Sequence, residues 1–451
     1  MHRRTFTRAL AAVLGVAIAL PAVAACGSDD AEGHVYYLNG KAEVVDQWEQ
    51  LASLYTQQTG VKVDILTATS GDYNTTLRTE LGKSNAPTMV SITGYDTFST
   101  FSDFLEPIQD SEAYANLTEA GKENSYSIGE DSYTLPYAAE WYGIIANRAI
   151  LERYADQDYA VIDSADDITD YQTLKNVVES MDEHKDDLGL DGVFATPGLE
   201  SSGTYRFTAH MSRLPLFYEY RDLDTTFSDT LSGTYLSNYK DLFDLQLDHN
   251  PTASSMVSTK NYDEVTSEFA QAKVAFYPNG TWAYSQIKGN DVDDDDLMML
   301  PYYMGIEGEE EYGPVGIYDA SWAVNAYASD KDRQATLDFI NWLVTDEDAK
   351  AIIAKDMGFA APYTTFGADE QPDNPLVVSA SAYGKNGVTE VRSFTIPDQQ
   401  WQDDLASALI EYSQGTGDWK QVDEAYVDGW ATEWQTNGEA LDALPEAKSF
   451  A

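Results

Sequence analysis

The 451 residues include one cysteine, Cys26, and few cations: 27 Lys and Arg stand against 76 Asp and Glu, for a net charge of −49. A lone thiol admits no disulfide within the chain and no cysteine cluster around a metal. The acidity repels nucleic acid and anionic headgroups and favours solubility outside the cell. The five histidines (His2, His34, His184, His210 and His249) form no H-E-x-x-H or paired spacing, so no histidine metal site is expected. No G-x-S-x-G and no Walker A motif is present, although "GLESSG" at 198–203 approaches the former. The acidic run "NDVDDDD" at 290–296 lacks the turn glycine and closing glutamate of an EF-hand and reads as a solvated turn. No solenoid repeat occurs. Neither a metal nor a cofactor is expected.

The cysteine has a context. Arg3, Arg4 and Arg8 precede a run from Ala9 to Ala25 in which every residue is apolar, glycine or proline. This is the charge and hydropathy pattern of an export signal, and it is short for a bilayer span. Val23, Ala24 and Ala25 before Cys26 resemble a lipobox, whose cysteine is acylated; a plain A-x-A cleavage site is the alternative. "RRTF" at 3–6 only faintly resembles a twin-arginine signal. Residues 1–25 are thus expected to be a signal peptide, and 26–33, "CGSDDAEG", a lipid-bearing tether. With Cys26 acylated, the remainder has no thiol for catalysis.

What is abundant is aromatic: 30 Tyr, 16 Phe and 9 Trp, with 43% hydrophobic residues overall. That supply argues for a packed fold despite the charge, and a chain this long buries most of its apolar surface without staples. "HVYYL" (34–38) reads as a strand. Val44, Trp48, Leu51 and Tyr55 then fall at helical spacing until Gly60, and "VKVDIL" alternates as a second strand. This β-α-β unit predicts a parallel sheet. Ser70 or Asp72 can cap a helix reaching Leu81; "PTMVSI" is a third strand, and a helix from about Thr97 to Leu105 follows. Pro136 breaks the pattern before "WYGIIANRAIL", which reads as a crossing between lobes. "DLMMLPYYM" reads as a strand and second crossing, and "GEEEYG" as a surface loop. The last hundred residues look mostly helical.

Four blocks carry a resemblance: "YTLPYAAEWYGIIANRAIL", "AKVAFYPNGTWAYSQI", the stretch from "GPVGIYDASWAV" to "DMGFAAPY", and "FTIPDQQWQDDLASALIEYSQGTGDWKQVDEAY". Their order resembles the extracellular solute-binding proteins of ABC importers, specifically the carbohydrate-binding family that includes maltose-binding protein. Two departures stand out. "NRAIL" lacks the family's lysine-aspartate pair, and residues 197–235, rich in Ser, Tyr and Arg, align poorly. The resemblance implies an α/β, two-lobed periplasmic-binding-protein-like fold of type II with a hinge. The expected lobes are 34–138 with 303–360, and 139–302 with 361–451. It further implies a carbohydrate, an oligosaccharide by preference, held between the lobes and passed to a membrane permease. The protein is then extracytoplasmic, monomeric, and attached to the membrane only through lipid at Cys26. A secreted glycoside hydrolase, and a binding protein for a polyol, peptide or metal complex, are the alternatives.

Sugars present apolar C–H faces and dense hydroxyls, so their sites combine aromatic platforms with polar side chains. Open α/β sheets bind ligands where strands lead into helices. Asn39, Gly40 and Glu43 occupy the first such loop, Ser70, Asp72 and Tyr73 the second, and Tyr95 and Asp96 the third; capping alone would account for Ser70 and Asp72. Glu140, Trp141 and Tyr142 follow the break at Pro136. Asn279 and Trp282 sit at a strand-to-helix turn, and the resemblance implies that Trp282 stacks on a sugar ring. The resemblance also places Tyr318 and Asp319, read as preceding a strand, and Trp401 beside ligand. For each aromatic, packing in the core is the competing role.

Overall fold

The computed structural model describes residues 33–68, 73–441, 444–445 and 447–450. The proposed signal peptide, Cys26, Ser70 and Asp72 lie outside the described residues.

Strand β1 (His34–Asn39) is followed by a short turn and helix α1 (Val45–Thr59), then β2 (Lys62–Thr67). Gly60 closes α1 in the left-handed region at φ 83°, its N–H bonded to the Thr56 carbonyl; a side chain there would strain the turn. Helix α2 (Tyr73–Leu81) leads to β3 (Met89–Ile92), and α3 (Tyr95–Phe101) follows. Both β2 and β3 pair in parallel with β1, as the β-α-β pattern predicts. Alternation along β1 sends Val35 and Tyr37 to one core and Leu38 to another, so helices cover both faces of the sheet. Trp48 of α1 is fully buried and meets Tyr37, Tyr137 and Trp322 edge-on. Each such ring pair adds about 0.5–1.5 kcal/mol beyond its buried area.

A small hairpin, β4 (Ser127–Ile128) and β5 (Asp131–Ser132), precedes the long strand β6 (Leu135–Asn147). Beyond it lie β7 (Phe276–Gly280), β8 (Leu297–Leu300), the equally long β9 (Tyr312–Val324) and β10 (Thr389–Arg392). β6 and β9 run antiparallel, from Leu135 opposite Trp322 to Tyr142 opposite Val315, with register shifts on either side of Ala138. Leu135, Tyr137, Ala320 and Trp322 belong to the core around Trp48. Tyr142, Ile144, Val315 and Ile317 belong to a second core with the helices of residues 148–247 and the C-terminal helices. The two strands therefore pass from one lobe to the other, and the shifts mark where they leave one sheet's twist for the next. A third passage touches them where the Ala139 N–H bonds the Ala360 carbonyl at 2.7 Å.

This arrangement differs from four expectations. "DLMMLPYYM" does not cross: β8 pairs with β6, and Tyr302, Tyr303, Met304 and Ile306 stay in the second core. Tyr363 and Phe366 conversely remain with the first core. From the membership of the cores we propose passages near 318–320 and after 366, later than the boundaries expected at 303 and 360. Tyr318 and Asp319 lie inside β9 and not ahead of a strand. In "GEEEYG", Glu309 is buried and accepts N–H bonds from Tyr171, Met304, Gly305 and Ile306, so one of the three glutamates is a structural anchor. Among the described residues no helix is long and apolar enough to cross a membrane.

Candidate functional site

The C-terminal ends of β1 and β3 face the second lobe across the passages, and two recesses open there. One, about 630 Å³, is lined by Glu43, Glu140, Trp282, Lys288, Phe359 and Asp373 among others. The larger, about 940 Å³, lies between Asn74, Gly94 and Tyr95 of the first lobe and Tyr205, His210 and Arg213 of the second.

At the smaller recess, the Lys41 ammonium reaches both Glu140 oxygens at 3.1 and 2.9 Å and Glu43 at 3.3 Å. Its stem also lies near Phe359 of the third passage, with Nζ 5.2 Å from the ring centre. Burial pulls the lysine pKa down, but the Glu140 and Glu43 carboxylates more than reverse this, leaving it above the ordinary value. The ion pair ties the first loop to the passage strand β6. Next to it, the indole of Trp282 lies across Gly280, so close that a Cβ on Gly280 would meet the ring at 2.1 Å. The glycine is what lets the ring lie flat on the turn.

Between the recesses runs an aromatic strip. His210 stacks on Tyr142 with centroids 4.1 Å apart and planes 13° apart. Tyr205 meets His210 edge-on at 5.0 Å, and Trp282 lies tilted against the same ring at 5.3 Å. Burial pushes the Tyr205 phenol well above its usual value, so it is a neutral hydroxyl. His210 sits on a π-helical turn, Arg206–Met211, in which the Ser212 N–H reaches back five residues to the Phe207 carbonyl. The extra residue per turn swings His210 and Arg213 towards the cleft. At the far end Tyr95, half-buried, packs 6.4 Å from Trp434 of the helix Trp419–Leu441, so the lobes touch there.

The expected site residues divide. Glu43, Tyr95, Glu140 and Trp282 line the recesses. Gly40 lies at the loop below them, its N–H on the Ser91 hydroxyl. Trp141 hydrogen-bonds Glu390 through its indole N–H, and Tyr318, part-buried in β9, has a phenol pushed up to about 12 by burial and by the Glu390 and Glu123 charges. Five others are corrected to the interior. The Asn39 side chain is fully buried and holds the first loop by bonds to Lys41 and Thr67. Tyr73 is buried with its hydroxyl on Leu38 and Ser91. Asn279 is spent on Tyr277, Tyr262 and the Gly280 N–H. Tyr142 supports His210 from behind at zero exposure. Trp401 packs on Tyr426 and Trp430, its indole N–H on the Tyr426 carbonyl. Asp96 and Asp319 lie in α3 and β9, and their side chains are not described. Sequence reasoning did not find Lys41, Tyr205, His210 or Arg213. The signals were a lone lysine in "NGKAEV" and the Ser, Tyr and Arg bias of 197–235.

Comparison with known proteins decides the family. Residues 50–377 match the family model for bacterial extracellular solute-binding proteins. The chain belongs to that family. A solute-binding protein captures its ligand and does not transform it, which sets aside the hydrolase alternative. No curated protein matches the chain by sequence. The fold of this solute-binding protein is shared by solved structures at low identity. The GacH receptor of Streptomyces glaucescens superposes with a TM-score of 0.67 at 15% identity, covering 90% of this chain and 99% of that one. A sugar transporter of Bacillus licheniformis gives 0.64 at 15%, over 89% and 100%. RafE of Streptococcus pneumoniae gives 0.63 at 15%, over 89% and 97%. The two lobes and their passages are thus the architecture of this family.

Proposed function

We propose that the protein captures a carbohydrate, an oligosaccharide by preference, in the cleft between its lobes and delivers it to an ABC permease. The observation that carries this is the aromatic strip of Trp282, His210 and Tyr205, with charged and amide groups at both ends. Flat rings suit the C–H faces of sugars, and the flanking groups suit their hydroxyls. The structures of similar fold support the same class: GacH was solved with acarbose, the Bacillus licheniformis protein with stachyose and RafE with raffinose. Closure would be a hinge motion at the three passages, favoured by contacts that ligand makes with both lobes at once. We further propose that acylated Cys26 anchors the chain, that residues 27–33 form its leash and that it acts as a monomer.

Calorimetry and tryptophan fluorescence of the purified domain against a saccharide panel test this reading. Saturable binding at micromolar affinity or better, with the sugar recovered intact, is expected. Binding confined to peptides or polyols would replace the ligand class, and cleavage of any glycoside would defeat the reading. Cys26→Ala should release the protein from membranes; a variant that stays bound refutes the anchor.

A further inference from the structure

His210 is nearly enclosed, yet among the described residues neither of its ring nitrogens has a hydrogen-bond partner, and Nδ1 is cut off from solvent. A buried polar atom without a partner is costly, and buried N–H groups are orphaned more rarely than acceptors. The less costly arrangement leaves Nδ1 bare against its aromatic neighbours and puts the proton on Nε2. Two cations stand beside it. Arg213 uses Nε and Nη1 on the Phe394 and Ala209 carbonyls, at 2.9 and 2.7 Å. Arg206, with 1% exposure, rests on the carbonyls of Gly203, Pro278 and Gly198. A Cβ on Gly198 or Gly203 would come within 3.2 Å of its guanidinium, so both glycines make room for it. Neither arginine pairs with a carboxylate among the described residues, in a chain where acids outnumber bases almost threefold. Asp398 lines the same recess, but it is engaged as the cap of the helix Gln399–Ser413, bonding the Trp401 N–H and Asn437. Burial first, then Arg213 and Arg206, hold the His210 pKa well below the ordinary imidazole value, so the ring is uncharged at neutral pH.

Resting on the saccharide reading above, we propose that His210 is a specificity-determining residue, an uncharged Nε2–H donor to a ligand oxygen in the larger recess, which thereby selects hydroxyl or carboxylate groups over an ammonium group. The π-helical turn sets its place, Tyr142 fixes the ring plane, and the two arginines make the local field positive against the charge of the whole protein. Such a donor rewards an oxygen and leaves a cation facing the Arg213 guanidinium, with Arg206 buried behind.

The test compares the wild type, His210→Phe and His210→Gln. Calorimetry uses neutral tri- and tetrasaccharides, including raffinose and stachyose, and the glucosamine trisaccharide as the cationic probe. Phenylalanine keeps the stacked ring and removes the donor; glutamine restores a donor near the Nε2 position. The neutral sugar bound by the wild type should lose about three- to tenfold in affinity with His210→Phe, as for one neutral hydrogen bond, and regain part of it with His210→Gln. The glucosamine trimer should bind the wild type at least about tenfold more weakly than the neutral sugars. Nitrogen NMR of the free protein should show the Nε2–H tautomer. Equal affinities for wild type and His210→Phe, an Nδ1–H or doubly protonated ring at neutral pH, or tight binding of the glucosamine trimer would each overturn the inference. If the wild type binds no saccharide at all, the saccharide reading itself fails and this role falls with it.

Discussion

Replacing Gly280 by alanine is the most direct probe of the Trp282 platform. Gly280 has φ −114° and ψ 177°, extended backbone open to any residue, so alanine introduces no torsional strain. The perturbation is purely steric. A Cβ would stand 2.1 Å from two carbons of the indole and 2.5 Å from a third, where ordinary carbon contacts need about 3.5–4.0 Å. The ring must therefore move by about 1.5 Å, out of its plane on the turn. Trp282 also packs on the second core and on the neighbouring cluster of Val265, Phe269, Tyr277 and Ala283, so displacing it costs about 1–3 kcal/mol as an overpacked site. A platform moved that far no longer presents its face to the same sugar ring, and affinity should fall by about two- to tenfold, the value of one aromatic contact. Thermal melting and calorimetry with the best-binding saccharide measure both effects. A Gly280→Ala protein with unchanged melting temperature and unchanged affinity would refute the steric argument. Loss of stability with affinity intact would instead remove Trp282 from the site.

Other outcomes follow from the same geometry. Lys41→Met leaves Glu140 buried without its cation and should cost about 3–5 kcal/mol in urea melts; Lys41→Met with Glu140→Gln should recover part of that, and an additive double variant would show that the two groups do not interact. Tyr95→Ala removes a contact between lobes, together with some packing on the core of each, so small-angle scattering should show a larger radius for the unliganded protein, and an unchanged radius would refute the contact's role. His210 also makes stability depend on pH. Its folded pKa lies below the unfolded value near 6.5, so the unfolded chain binds the extra proton, and stability is full above about pH 6.5 and falls as pH drops, by up to about 1.4 kcal/mol per unit. The groups facing it are Tyr142, Tyr205, Arg206, Arg213 and, across the recess, Asp398; His210→Phe should flatten this slope, and an unchanged slope would point to another group.

Much of the fold was legible because its signals are local. Val44, Trp48, Leu51 and Tyr55 recur at the helical period, Gly60 marks a left-handed stop, and the alternation of "VKVDIL" marks a strand. The candidate site was legible only in outline. Its loops were found, but which side chain of each loop faces the cleft was not. Asn39 and Tyr73 sit beside lining residues in sequence and yet point inward, because their polar atoms complete the loop and the β3 backbone. The crossing after β8 was misread because Pro301 and the tyrosines after it resemble the break at Pro136. In the folded chain those tyrosines fill the core beside Tyr142.

The sequence alone determined the α/β class of fold, the opening β-α-β order and the acidic, thiol-free character of the domain. Each of these depends on composition or on spacings shorter than a few turns. The tertiary structure alone decided the cleft. The register shifts in β6 and β9 set where the passages lie, and the extra residue in the Arg206–Met211 turn brings His210 over Tyr142. Gly280 lets Trp282 lie beside it only once β7 has been laid on β6. These contacts join residues far apart in the chain, and no local period records them.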